Sequence, residues 1–325
     1  MCTLAHACAV KDTFNEEIER GDRDRFEILM GQELDFSQET HFPVWLRQEL
    51  SKKGPYSQEV RDFLVKNSLI CHEVGSGNPA SDKICRVVYS DSYLGWGPID
   101  EWISRGLGGK ALFHRLPIVS KLLADNLRAI LSHKGPGSSK FKIKDLGAGS
   151  GSYAFKTLGD LRNQEFPVAT IDWECIDCAD DALQFGRERI KEDGFSESIS
   201  FTKANFMSSE SFPAESDQAD LIILVGVLCG MTKEDAVKCL QKIRSHAKEG
   251  AKIIAATLLV ESYKEDPMVY QLLANLGWHL RPKTMAEVRA VFHQAGYKIQ
   301  SIGSERKDNQ GNEIPGEYAI VTAEM

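Results

Sequence analysis

The stretch Ile143-Lys-Asp-Leu-Gly-Ala-Gly-Ser-Gly151 decides the reading of this chain. A short, mostly apolar run ends at Leu146, and a glycine turn then leads into a helical pattern. Glycines at 147, 149 and 151 let the backbone come close to a ligand that rests on the helix N-terminus. The spacing is Gly-x-Gly-x-Gly, and Ser152 stands where a dinucleotide fingerprint, Gly-x-Gly-x-x-Gly, needs its last glycine. Asp145 precedes the first glycine by two positions, so a carboxylate at the strand end can order the turn and face a cationic ligand. A pyrophosphate would be repelled by the same charge.

Outward from that turn, strand-like runs near 143–146, 170–176, 199–203, 221–228 and 252–258 alternate with helical patterns, among them 180–191 and 233–247. Such alternation predicts a doubly wound α/β fold, a mostly parallel sheet with helices on both faces. Near the end, Thr284-Met-Ala-Glu287 is a capping box opening a helix that stops at Gly296. Two strand-like runs, 297–302 and 317–322, follow with only the polar 307–316 between them. Without a helical crossover they pair antiparallel, so the seven-stranded sheet finishes with an antiparallel last strand. Upstream, His133-Lys-Gly-Pro-Gly-Ser-Ser-Lys140 breaks the composition and places a boundary near 135. The expected domains are an N-terminal, mainly helical accessory or lid region over 1–135 and a ligand-binding domain over 136–325.

Composition narrows the function. The 325 residues carry a formal net charge of -8, with no dense Lys/Arg run, so the surface offers nucleic acid no general attraction. The longest apolar run, Leu221-Ile-Ile-Leu-Val-Gly-Val-Leu-Cys229, falls well short of the roughly 20 residues a membrane helix needs, and no membrane partner is expected. Lys11 follows the mildly apolar start instead of preceding it, contrary to a secretion signal. Eight cysteines lack framework spacing, and Cys175, Cys229 and Cys239 fall in apolar segments, which suits reduced thiols in the cytoplasm. Cys175-x-x-Cys178 is the one pair at metal or redox spacing; with no second pair and no histidine pair nearby, no metal is expected.

Taken in order, these segments resemble class I S-adenosylmethionine-dependent methyltransferases, over roughly residues 141–325. Lys144 departs from the pattern, being polar where such strands are apolar. The resemblance implies S-adenosylmethionine as cofactor, cradled by Asp145, Gly147, Ala148, Gly149 and Gly151. The second strand ends Cys175-Ile-Asp-Cys178, which implies that Asp177, with Cys178 beside it, binds the ribose hydroxyls. The interval from glycine to acid, about thirty residues, exceeds the roughly 20 usual for this geometry. Asn163-Gln-Glu-Phe-Pro167 reads as an added loop; in another register Asp172 takes the role. After the third strand, Asn205 bonds the adenine amino group or merely forms a turn, and Phe206 packs on the ring. Gly226, at the end of the fourth strand, completes the cofactor set. The Asn-Pro-Pro-Tyr type sequence of enzymes that methylate base or glutamine nitrogens is missing there, which implies a small-molecule acceptor.

A sulfonium methyl is already activated, so an enzyme of this kind has to align an O, N or C nucleophile behind it, with a base where the nucleophile is a hydroxyl or carbon acid. Leu276-Gly-Trp-His-Leu-Arg281 offers Trp278 to stack and His279 as base, and Tyr93 and Trp96 are candidate substrate contacts. Ordinary packing, and a surface or core histidine, are the competing readings. Arg105 either pairs with the methionyl carboxylate or is solvated. No cluster of acids and amides follows the fourth strand, so the expected transfer is metal-independent. Two rivals stay open: a protein of the same fold that binds the cofactor for a non-methylating or regulatory role, and a nicotinamide dehydrogenase, disfavoured by Ser152 and Asp145.

Overall fold

In the strand Ala219–Val225, Leu221, Ile223 and Val225 pack into one apolar cluster while Ile222 and Leu224 pack into another, all of them buried. A strand buried on both sides belongs to a sheet with helices on each face. In the computed structural model the described residues are 48, 56–78, 81–89, 95–132, 139–207, 218–265, 267–306 and 316–325. In chain order the elements are α1 (Gln58–Asn67), α2 (Leu69–Gly75), α3 (Asp82–Tyr89), α4 (Pro98–Arg105) and α5 (Leu107–Leu131). Next come β1 (Phe141–Leu146), α6 (Ser152–Arg162), β2 (Ile171–Asp177), α7 (Asp180–Asp193), β3 (Ile199–Lys203) and β4 (Ala219–Val225). The rest are α8 (Lys233–Ile243), β5 (Ala247–Leu258), α9 (Glu261–Glu265), α10 (Pro267–Asn275), α11 (Met285–Gln294), β6 (Lys298–Ser304) and β7 (Tyr318–Glu324).

The seven strands lie in the order β3-β2-β1-β4-β5-β7-β6, all parallel except β7, which runs antiparallel to both β5 and β6. One face carries Val119, Leu123 and Leu127 of α5 and Leu158 and Leu161 of α6 over Ile143, Trp173, Leu221 and Ile254. The other carries Leu240 of α8 and Val288 and Phe292 of α11 over Leu146, Ile222, Ile253 and Val321. The doubly wound, mostly parallel sheet with an antiparallel last strand is therefore as the periodicity predicts, and the capping box forms as read at Thr284 and Glu287. Strand β5 starts earlier than its apolar run, because Ala247 already pairs with Ala219 across a register shift. Lys144, polar inside β1, is 3% exposed and faces Glu174 of β2 at 3.9 Å, so a cross-strand ion pair accommodates it.

The chain forms two compact units, Met1–Leu112 with Val260–Leu280, and Phe113–Leu259 with Arg281–Met325. The first unit has its own core, in which Leu64 of α1, Ile70 of α2, Ile84 of α3 and Ile103 of α4 pack with Val269 and Leu272 of α10. The second unit holds the sheet. Helix α5 runs from Leu107 through Pro117 without ending there; a proline inside a helix removes one backbone hydrogen bond, and the buried stripe of Val119, Leu123 and Leu127 continues past it. No helix among the described residues is long and apolar enough to cross a membrane.

Candidate functional site

Strands β1 and β4 are neighbours at the middle of the sheet, where the strand order reverses, and ligands in such folds bind beyond the carboxyl ends of the strands at that point. The glycine turn sits there. Gly147, Gly149 and Gly151 have φ of +74°, +56° and +79°, the left-handed region that residues with a Cβ avoid. The amides of Gly147 and Ala148 donate to the Ile176 carbonyl at 2.8 and 3.2 Å, which folds the turn against the tip of β2. A Cβ on Gly151 would stand 2.9 Å from the Phe201 ring, so glycine is required for packing as well as for φ.

Asp177, at the tip of β2, joins two turns. Its Oδ2 accepts from the Gly149 amide at 2.8 Å and its Oδ1 from the Ala179 amide at 2.9 Å. A carboxylate has about four lone-pair sites, so each oxygen keeps acceptor capacity for a diol. Asp172, the alternative in another register, pairs with Lys142 at the opposite end of the strand. Cys178 follows Asp177 and is half-buried. The Oδ1 of Asn205 accepts from the Met207 amide at 3.0 Å, a local turn of the kind asparagine favours. The half-buried Phe206 ring comes within 3.9 Å of where a Cβ on Gly147 would be, which sets an aromatic beside the glycine turn.

Asp145 is 2% exposed, and its Oδ2 has no hydrogen-bond partner. Burial pushes its carboxyl up to about 7; the nearby Trp173 indole opposes the rise and the Asp177 charge adds to it. The influence of Trp173 falls short of a geometrically sound hydrogen bond, since its indole nitrogen is also without a partner. Buried polar atoms are nearly always paired, so a carboxylate oxygen left over beside a ligand turn marks a place for a donor.

The end of β4 is held by Gly226 and by Lys283, a residue that no motif announces. Gly226 has φ of +77°, its amide donates to Ala256 at 3.0 Å, and its carbonyl accepts from Cys229 Sγ at 3.0 Å. Lys283, 3% exposed, donates to the carbonyls of Leu228 and Met231, both at 2.8 Å, and of Arg281 at 3.1 Å. Those three bonds use the three protons of its ammonium and pin the segment after β4; burial lowers its pKa to about 8. The buried Arg115 of α5 also belongs to the second unit, with Nε donating to the Tyr153 hydroxyl at 2.9 Å. The sequence signals Arg115 only as a charge in a mostly apolar stretch, and Lys283, between Pro282 and Thr284, not at all.

The cofactor residues read from the motif, Asp145, Gly147, Ala148, Gly149, Gly151, Asp177, Cys178, Asn205, Phe206 and Gly226, all lie in the second unit, at strand ends or in the turns that follow them. The acceptor candidates belong to the first unit. Trp278 is half-buried against that unit's core, with its amide bonded to Leu273 O at 2.9 Å, and His279 is exposed. Trp96 is 53% exposed and meets the His72 ring at 5.2 Å. Arg105 closes α4 with its backbone; its side chain and the whole of Tyr93 lie outside the described residues. Among the described residues no group of three or more His, Cys, Asp or Glu is arranged to hold a metal ion.

The Gly-x-Gly-x-Gly turn, the acid at the second strand tip and an orphaned carboxylate oxygen fit S-adenosylmethionine. In comparisons with known proteins, residues 138–303, just over half of the chain, match the model of a methyltransferase domain family. No curated protein matches the chain in sequence. Among solved structures, the DszA carbon methyltransferase is 15% identical, with a TM-score of 0.53 over 74% of this chain and 60% of that one. Magnesium protoporphyrin IX methyltransferase from Synechocystis PCC 6803 with bound S-adenosylhomocysteine is 14% identical, with a TM-score of 0.48 over 82% of this chain and 97% of that one. Human N-acetylserotonin methyltransferase in complex with S-adenosylmethionine is 20% identical, with a TM-score of 0.41 over 70% of this chain and 60% of that one. The chain thus spans 60% of the length of two of these proteins. The family match covers the whole glycine turn and the strands on either side of it, and this chain belongs to that methyltransferase domain family.

Proposed function

We propose that this chain is an S-adenosylmethionine-dependent methyltransferase that acts on a small-molecule acceptor through an O, N or C nucleophile, without a metal. One observation carries the reading: Asp177 ties the amide of Gly149 at the switch point of the sheet while keeping acceptor capacity on both oxygens. The cofactor, when bound, supplies an activated methyl on a sulfonium. The residues of the chain then bind and orient: Asp177 the ribose diol, Phe206 the adenine face, Asn205 the adenine edge through its remaining polar capacity, and Asp145 a cationic group. Proximity and orientation of this sort can supply several kcal/mol of a methyl-transfer barrier. In this reading residues 136–325 form the cofactor-binding domain and 1–135 an accessory region. The general base, where the acceptor needs one, is His279. The compartment is the cytoplasm, with which eight cysteines lacking any framework spacing agree.

Isothermal calorimetry with S-adenosylhomocysteine, followed by a screen of small phenols, amines and carbon acids for release of that product from S-adenosylmethionine, tests the proposal. Saturable binding and acceptor-dependent release are expected. Folded protein that takes up neither the donor nor its demethylated product would overturn it. His279→Asn should lower turnover and leave product affinity unchanged.

A further inference from the structure

The ammonium of Lys283 gives its three protons to main-chain carbonyls, two from the turn that follows β4 and one from Arg281. Its own place is fixed on both sides. The Lys283 amide donates to Leu258 O at 3.0 Å, its backbone bridges Leu259 just past β5, and the capping box of α11 begins at the next residue, Thr284. The turn it grips is a tight one, with the Gly230 amide on Val227 O at 3.3 Å and the Met231 amide on Leu228 O at 3.2 Å. A second tie runs alongside, from the Arg281 amide to Cys229 O at 2.6 Å. Val227 stands at the start of this turn. One of its methyls lies 2.9 Å from where a Cβ on Gly147 would be, so it packs on the bare α-carbon of the first glycine in the ligand turn.

A turn built of glycines has wide conformational freedom, so its shape has to be imposed by what packs on it. Asp177 does this at Gly149, through the 2.8 Å bond to its amide, and Val227 does it at Gly147. Val227 can press on the glycine only if its own turn is held still. Lys283 is 3% exposed, and burying an ammonium is costly, whereas a methionine would fill the same space without that cost. What the ammonium adds is the grip on residues 228, 231 and 281 at once. We infer that Lys283 is a positioning residue for the cofactor: by gripping the turn after β4 it keeps Val227 seated on Gly147, and so keeps the glycine turn in the shape that receives the ligand. It acts through the turn and through Val227, with no contact of its own to the ligand required. The inference rests on the cofactor reading above.

Calorimetry with S-adenosylhomocysteine and amide hydrogen exchange, both on the full chain, test the assignment. Lys283→Met should weaken the ligand roughly tenfold, the scale of lost hydrogen bonds to a charged group. The same variant should speed exchange at the Gly230, Met231 and Arg281 amides by about tenfold or more. Amides of β3, at the far edge of the sheet, should keep their rates, which separates a loosened turn from a weakened fold. Lys283→Gln, which keeps two donor protons, should fall between Lys283→Met and wild type, and it carries the test if Lys283→Met does not fold. Val227→Ala should weaken the ligand about threefold and leave exchange in the turn unchanged. Added to Lys283→Met, it should cost less than about a further 1.5-fold, because the two residues act in series. Unchanged affinity in the folded Lys283 variants, or losses that multiply in full in the double variant, overturns the assignment alone. Wild-type protein that takes up no S-adenosylhomocysteine overturns the cofactor reading, and the assignment falls with it.

Discussion

Asp100 and Asp145 are both buried aspartates, 0% and 2% exposed, and they live in opposite circumstances. Asp100, in the first unit, accepts from Ser68 Oγ at 2.5 Å, from the amides of Leu69 and Ile70 at 2.8 and 3.0 Å, and from the Trp96 amide at 2.7 Å. It closes the open N-terminus of α2, where a negative charge is favoured. Asp145, in the second unit, retains an oxygen with nothing to accept from. A buried carboxylate whose acceptor capacity is filled by its own fold holds structure together. One left short of donors costs the fold stability, and that cost makes sense where a ligand supplies the donor.

The contrast can be broken by substitution. The largest effect should come from Asp100→Ala, which strands several donors at once: a loss on the order of 3 kcal/mol in urea unfolding. Asp177→Ala should come next, weakening S-adenosylhomocysteine by roughly 100-fold in calorimetry through the lost diol contacts and the slackened glycine turn. Asp145→Asn should act in both directions, stabilising the ligand-free protein at pH 8 by about 1–2 kcal/mol while weakening the product about tenfold.

Its pH profile sharpens the point. The carboxyl of Asp145 is held near 7 in the folded chain against 3.8 ordinarily, so between those values the folded form keeps a proton that the unfolded form has lost. The contribution of this group to stability therefore falls as pH rises through that window and stays low above it. Thermal melts from pH 4 to pH 8 should show this decline in wild-type protein, and Asp145→Asn should abolish that part of it. The smallest effect belongs to Trp96→Ala, which trims a ring 53% exposed and should change stability by no more than about 0.5 kcal/mol.

Sequence made the second unit legible because its information is local. Three glycines in a fixed spacing, an acid at a strand tip and a capping box each report a backbone geometry that neighbouring residues impose. The sequence already puts Asp177 ahead of Asp172, which it keeps for another register; the observed register sets Asp172 beside Lys142 at the opposite end of β2, since which acid reaches the carboxyl edge depends on where the strand begins. Arg115 and Lys283 were illegible for the opposite reason. Each is defined by what packs around it from distant segments: Tyr153, Gly226 and Tyr318 for the first, the carbonyls of Leu228 and Met231 for the second.

The return of residues 260–280 to the first unit also limits how the protein can be dissected. A fragment cut to begin at 136 would keep α10 but lose the helices that cover it, leaving Val269, Leu272 and Leu273 facing water. The Arg61 guanidinium that now closes the end of that helix, bonded to Asn275 O at 2.6 Å, would go with them. Such a fragment would also strip Val119, Leu123 and Leu127 of α5 from one face of the sheet, and with both oily flanks exposed it would clump. A truncation that began at 113, keeping the buried stripe of α5 on the sheet, and replaced 260–280 by a short polar bridge would be the sounder way to isolate the sheet.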